Sequence, residues 1–128
     1  FFKKVNDEYG HIIGDKALCH AARIFQETAK RKTDMVARYG GEEFAIILPS
    51  TQHDIAKELA QIIRLQIEES PLVHGELSIQ LTVSIGVNCI IPNNQRSCMQ
   101  FLDQVDQALY EAKRTGRNRV VSYLDIMQ

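Results

Sequence analysis

The sequence predicts an α+β fold in which helices cover one face of a mostly antiparallel sheet. Three observations carry that expectation. Residues 35–39 and 43–48 are apolar runs on either side of Gly40 and Gly41, the pattern of a β-hairpin. Ile55, Leu59, Ile63 and Ile67 recur every four residues, as on one face of an α-helix. Leu77, Ile79, Leu81, Val83, Ile85, Val87 and Cys89 alternate with Ser78, Gln80, Thr82, Ser84, Gly86 and Asn88, the period of two of a strand.

The remaining elements follow in order. Residues 2–9 favour a short helical segment ended by Gly10, and after a short loop Gly14 and Asp15 supply a turn and a helix N-cap. From Asp15, Leu18, Ala21, Ala22, Phe25 and Ala29 keep helical spacing. Lys30, Arg31 and Lys32 then gather where the helix dipole favours cations. The hairpin closes at Pro49 and Ser50, and the second long helix spans residues 53–69 before Ser70 and Pro71 stop it. The strand at 77–89 has a small, polar opposite face, partly open to solvent or to a ligand. Residues 92–96 read as a polar loop. Phe101, Leu102, Val105, Leu109 and Ala112 mark a third long helix ending near Lys113, with Gly116 as its C-cap and 119–124 as a last strand. Helix, hairpin, helix, strand, helix, strand is the order of a ferredoxin-like fold without its opening strand, which is expected just upstream of Phe1.

With 128 residues, 45% of them hydrophobic and 24% charged, the chain has apolar material for one domain. A formal charge of −1 gives no global attraction to a nucleic-acid polymer or to anionic lipid. The strands also lack a row of aromatics on which RNA bases could stack. Cys19, Cys89 and Cys98 are odd in number and show no paired spacing, so neither a disulfide nor a zinc site is expected. No apolar run approaches the roughly 18 residues of a membrane span. A cytoplasmic domain is expected, compatible with a parent anchored in the inner membrane. The start at Phe1-Phe2-Lys3-Lys4, without an initiator Met, leads us to expect an N-terminally truncated part of a larger multidomain protein.

Residues 38–44 hold the chemistry. The hairpin tip carries Gly40 and Gly41, which admit positive φ and close approach of a bulky anion, and then Glu42 and Glu43, whose charges repel unless a cation lies between them. Read alone, the tip is either a solvated polar turn or a divalent metal holding phosphates.

Four ordered segments cover nearly the whole chain. They are Phe2-Lys3-x-x-Asn6-Asp7-x-x-Gly10-His11-x-x-Gly14-Asp15, Arg38-Tyr39-Gly40-Gly41-Glu42-Glu43-Phe44, Thr82-Val83-Ser84-Ile85-Gly86 and Ala108-Leu109-Tyr110-x-Ala112-Lys113-x-x-Gly116-Arg117-Asn118. Together they resemble the GGDEF domains of diguanylate cyclases. The resemblance implies a fold similar to the palm of nucleotide cyclases and polymerases. It also implies condensation of two GTP into cyclic di-GMP and two pyrophosphates across a homodimer, one GTP per subunit, under an upstream sensory or regulatory domain. The alternative from another class is a silent relative that senses GTP or cyclic di-GMP.

The same resemblance assigns roles. Glu42 binds the catalytic metal, Mg2+ or Mn2+, and Glu43 beside it binds metal or assists deprotonation. Phe2, Gly40 and Gly41 line the nucleotide, and Lys3, Lys113 and Arg117 hold its phosphates. Asn6 and Asp15 read guanine, a carboxylate accepting from the two donors on the guanine edge. Read alone, Asn6 is equally a turn residue, Asp15 an N-cap and the lysines surface charges. His11, between two glycines, is expected to pack or to bond to the loop backbone. Arg31 and Asp34 stand where many members carry an RxxD product-inhibition site, although the second arginine of that site falls at Ile62. Family members also carry a metal-binding Asp on the first strand, expected before Phe1, without which the chain alone would be a poor cyclase.

Overall fold

A computed structural model describes residues 2–91 and 97–127, with side chains from Lys4 onward, so the loop expected at 92–96 and the side chains of Phe2 and Lys3 lie outside the described residues. These residues form two compact units, Phe1–Ser50 with Leu65–Thr82 and Thr51–Arg64 with Val83–Gln128.

In the first unit Gly10 decides where the opening helices part. Its φ of 88° is open to glycine and breaks the chain between α1 (Phe2–Tyr9) and α2 (His11–Thr28). The expected loop and cap at Gly14 and Asp15 are therefore replaced by helix. The Gly14 amide already donates to the Gly10 carbonyl at 3.0 Å, so Asp15 lies inside the first turns. Ile13, Gly14, Ala17, Ala21, Ile24 and Phe25 form the buried face of α2. Phe25 meets Phe44 edge to face at 5.2 Å, which anchors the hairpin of β1 (Met35–Gly40) and β2 (Glu43–Ile47) against that helix. His20 Nε2 and the Ser70 carbonyl, 2.7 Å apart, tie α2 to the end of α3 (His53–Glu69). That helix matches the span read from its isoleucines.

The predicted strand at 77–89 is divided. Its first part, β4 (Leu77–Ile79), pairs antiparallel with β3 (Leu72–His74) across a two-residue turn in which Gly75 has φ 62°. Its second part, β5 (Ile85–Val87), belongs to the second unit. Alternation records which side chains face inward, and Ile79, Leu81 and Val87 are indeed buried. It does not record whether a neighbouring strand supplies hydrogen bonds, and residues 80–84 join no ladder. Strand β3, at three residues, was too short to show a period.

The second unit is built around a βαβ crossover. Strand β5 leads through α4 (Cys98–Arg114) to β6 (Val120–Ser122), which lies parallel to it. Helix α4 starts three residues before the apolar pattern begins. Ser97 and Gln100 form a reciprocal capping box that satisfies the first amides there. Ala108 and Ala112, both fully covered, form a flat stripe on α4. Gly86 passes directly against the α4 backbone. The expected last strand is cut short because Ser122 accepts a bond from the Leu124 amide and starts α5 (Tyr123–Ile126). Two contacts fasten this region to α3: His53 Nε2 lies 2.5 Å from Ser122 Oγ, and Lys57 Nζ donates to Asp125 at 2.8 Å.

The described strands make three two-stranded sheets, two antiparallel and one parallel, so the architecture is α+β with helices against the strands. Among the described residues no helix is long and apolar enough to cross a membrane.

Candidate functional site

The hairpin tip is held by its own sequence. Gly40 pairs with Glu43 after a bulge that follows Arg38, leaving Gly41 and Glu42 as the turn. Gly41 has φ 52°, the left-handed value that the first position of a tight hairpin turn demands. The Arg38 guanidinium donates to the Gly41 carbonyl at 2.7 Å and braces the turn from its own strand. Arg38 received no role from the sequence; its place three residues before Gly41 was the available signal. A Cβ at Gly40 or Gly41 would meet nothing within 4 Å, so backbone stands open on that side. Glu42 is partly buried and Glu43 is exposed.

These residues fit a metal of one kind. Among the described residues no group of three or more His, Cys, Asp or Glu is gathered to enclose an ion. A hard cation that takes one or two carboxylates and completes its shell with substrate phosphates and water suits a carboxylate beside open backbone. Glu42 is the ligand this allows, with Glu43 next to it.

Further candidates lie in the same unit. Asn6 projects from α1 against Gly14 of α2, and its Oδ1 is buried without a hydrogen-bond partner among the described residues. Asp15 is exposed on α2, one residue beyond Gly14, and His11, expected to pack or to bond to a loop backbone, is the exposed first residue of that helix. Arg31 and Asp34 face each other. The Arg31 side chain donates to the Asp34 carboxylate at 2.7 and 2.9 Å, its backbone amide does so at 3.1 Å, and its Nη2 also reaches the Pro49 carbonyl at 3.0 Å. The hydrogen bonds from Arg31 hold Asp34 below the usual carboxylate range. The pair therefore persists at neutral pH and is lost only as acid titrates Asp34 through that lowered value.

Lys113 and Arg117 belong to the second unit, at the end of α4. Thr115 is the C-cap, Gly116 turns the chain at φ 131°, and the Arg117 amide returns to the Ala112 carbonyl at 2.9 Å. Arg117 and Asn118 both take positive φ, 62° and 45°. Arg64 donates to Asn118 Oδ1 at 3.2 Å and holds the loop. Positive φ at a non-glycine cation is a strained choice of the kind found at ligand sites.

Known proteins resemble this chain in sequence and in fold. The sequence model described as "Diguanylate cyclase, GGDEF domain" matches residues 1–119. Diguanylate cyclase A of Treponema denticola is 41% identical over 120 residues, which is 94% of this chain and 32% of that protein. The chain spans about a third or less of the curated relatives of this kind. The GGDEF domain of DgcB from Caulobacter crescentus, solved with c-di-GMP, superposes with a TM-score of 0.85 at 30% identity, covering 96% of this chain and 72% of that one. The active GGEEF domain of a diguanylate cyclase from Vibrio cholerae gives 0.80 at 36% identity, covering 95% and 76%. A braced glycine turn presenting Glu42, on a palm-like α+β fold matched along nearly its whole length, leads to one assignment: the chain belongs to the GGDEF family of diguanylate cyclase domains.

Proposed function

We propose that this chain is the catalytic domain of a diguanylate cyclase that condenses two GTP into cyclic di-GMP and two pyrophosphates as a homodimer. The observation that carries the reading is the hairpin tip, where a left-handed Gly41, open backbone at Gly40 and a braced turn present Glu42. Intact carboxylates at 42 and 43 favour catalysis over a silent sensing role.

Each turnover requires the 3′-hydroxyl of one GTP to attack the α-phosphorus of the other. A new P–O bond forms as the bond to pyrophosphate breaks, and the hydroxyl proton leaves. Gly40 and Gly41 let the triphosphate lie against backbone, and Phe2 lines the nucleotide. Lys3, Lys113 and Arg117 neutralise and position its phosphates. Asn6 and Asp15 select guanine, and Glu43 binds metal or assists removal of the hydroxyl proton. A divalent cation, Mg2+ or Mn2+, bound at Glu42 with the phosphates supplies Lewis-acid stabilisation of the charge that grows on the leaving group. A GTP substrate implies a cytoplasmic domain. We include in the proposal an upstream regulatory domain and a preceding strand bearing the partner Asp.

The test is incubation of the full-length protein with GTP and Mg2+, followed by quantification of cyclic di-GMP and pyrophosphate. Turnover that yields neither overturns the proposal.

Arg31 and Asp34 form the proposed product-inhibition site. Cyclic di-GMP must exchange its own contacts for the bonds Arg31 makes to Asp34 and to the Pro49 carbonyl. Arg31→Ala is expected to raise the inhibitory concentration of cyclic di-GMP by roughly tenfold or more, the scale of a lost charge-assisted bond. An inhibition curve that coincides with wild type would remove the site from this account.

A further inference from the structure

Gly14 lies inside α2, is buried, and is not among the residues with positive φ. Its backbone is therefore one that any residue adopts, and glycine is the poorest helix former after proline. Something other than conformation explains it. A Cβ built at Gly14 falls 1.4 Å from Asn6 Oδ1, 2.6 Å from Asn6 Cγ and 3.4 Å from Asn6 Nδ2, and the three atoms nearest to it all belong to Asn6. The obstacle is the end of a flexible side chain. An alanine at 14 can be accommodated by swinging Asn6 away, so the fold survives and the placement of Asn6 does not.

The buried oxygen sharpens this. Asn6 Oδ1 fills the notch above Gly14 with no hydrogen-bond partner among the described residues, an arrangement that costs stability and calls for a compensating role. With the oxygen seated there, the two N–H donors on Nδ2 are left for a ligand. Guanine offers acceptors at O6 and N7, whereas adenine replaces the O6 acceptor by a donor. An amide held donor-outward distinguishes the two.

We propose that Gly14 is a positioning residue for base selection: its missing side chain forms the notch that seats the Asn6 carboxamide oxygen and turns the amide donors toward guanine. The proposal rests on the reading of Asn6 as a guanine contact. Gly10 makes the notch possible, because its left-handed turn folds α2 so that Gly14 faces Asn6.

The experiment measures binding of the α,β-methylene analogues of GTP and ATP, together with thermal melts, for the full-length protein carrying Gly14→Ala, Asn6→Ala or both. Gly14→Ala is expected to weaken the guanine analogue by roughly tenfold and leave the adenine analogue unchanged, as Asn6→Ala does. The double variant should bind no worse than either single one and melt above Asn6→Ala alone, since alanine then improves the helix without a clash. A Gly14→Ala protein that fails to fold while the double variant folds also supports the notch. Wild-type guanine affinity in Gly14→Ala, equal losses for both nucleotides, or additive losses in the double variant would overturn it. Unchanged guanine binding in Asn6→Ala would instead overturn the reading of Asn6 on which it rests, leaving the cyclase assignment to its own assay.

Discussion

Glu42→Ala is expected to lower cyclic di-GMP formation by at least about a hundredfold while the protein keeps its fold. Groups that merely orient metal ligands are worth roughly 10- to 100-fold when removed, and a carboxylate in direct contact with the ion sets a floor at the upper end of that range. The loss should fall on turnover more than on GTP binding, because the proposed phosphate cations and guanine contacts are untouched. The fold should survive because Glu42 occupies a two-residue turn whose geometry is set by Gly41 and by the Arg38 brace. Glu42→Gln separates charge from packing: it preserves volume and hydrogen-bonding shape, yet an amide is a poor ligand for Mg2+. Steady-state turnover with GTP, read beside a thermal melt, checks both variants. Activity within a few-fold of wild type in either one would end the metal assignment.

What the sequence disclosed and what it withheld divide along physical lines. The hairpin and α3 were legible because two glycines between apolar runs and an Ile or Leu at every fourth position are local signals that tertiary contacts did not override. The turn at the tip was legible for the same reason, since Gly40 to Glu43 are contiguous. The start of α2 was misread because Gly14 resembles a breaker, while its actual reason lies eight positions back, at Asn6. The run at 77–89 was misread because alternation reports inward and outward faces without reporting which strand lies alongside. The Arg38 brace and the positive φ at Arg117 are products of the folded backbone, and no composition or period announces them.

Gly86 shows how a residue inside a recognised motif can serve the fold. Replacing it with alanine is expected to destabilise the protein by about 3 kcal/mol, the upper part of the range for overpacking a filled site. A Cβ there would lie 2.5 Å from the Leu109 amide nitrogen, 2.7 Å from the Val105 carbonyl oxygen and 3.0 Å from Leu109 Cα. All three are helix backbone atoms, so no rotamer change relieves the clash, in contrast to Gly14, where only a side chain stands in the way. Nor can α4 yield by trimming its own contact face, because Ala108 and Ala112 are already small and fully covered. Strand β5 must therefore move off the helix, which strains its parallel register with β6, Ile85 to Val120 and Val87 to Ser122. A fall in Tm on the order of 10 °C follows for a domain of this size. Gly40→Ala, where the added Cβ meets nothing, is the stability control and should melt close to wild type. If Gly86→Ala melts with Gly40→Ala, the close approach of strand to helix is not what Gly86 provides. If it melts far below, cyclic di-GMP formation is expected to fall as well, because the helix that β5 supports carries Lys113 and leads into Arg117, the proposed phosphate contacts.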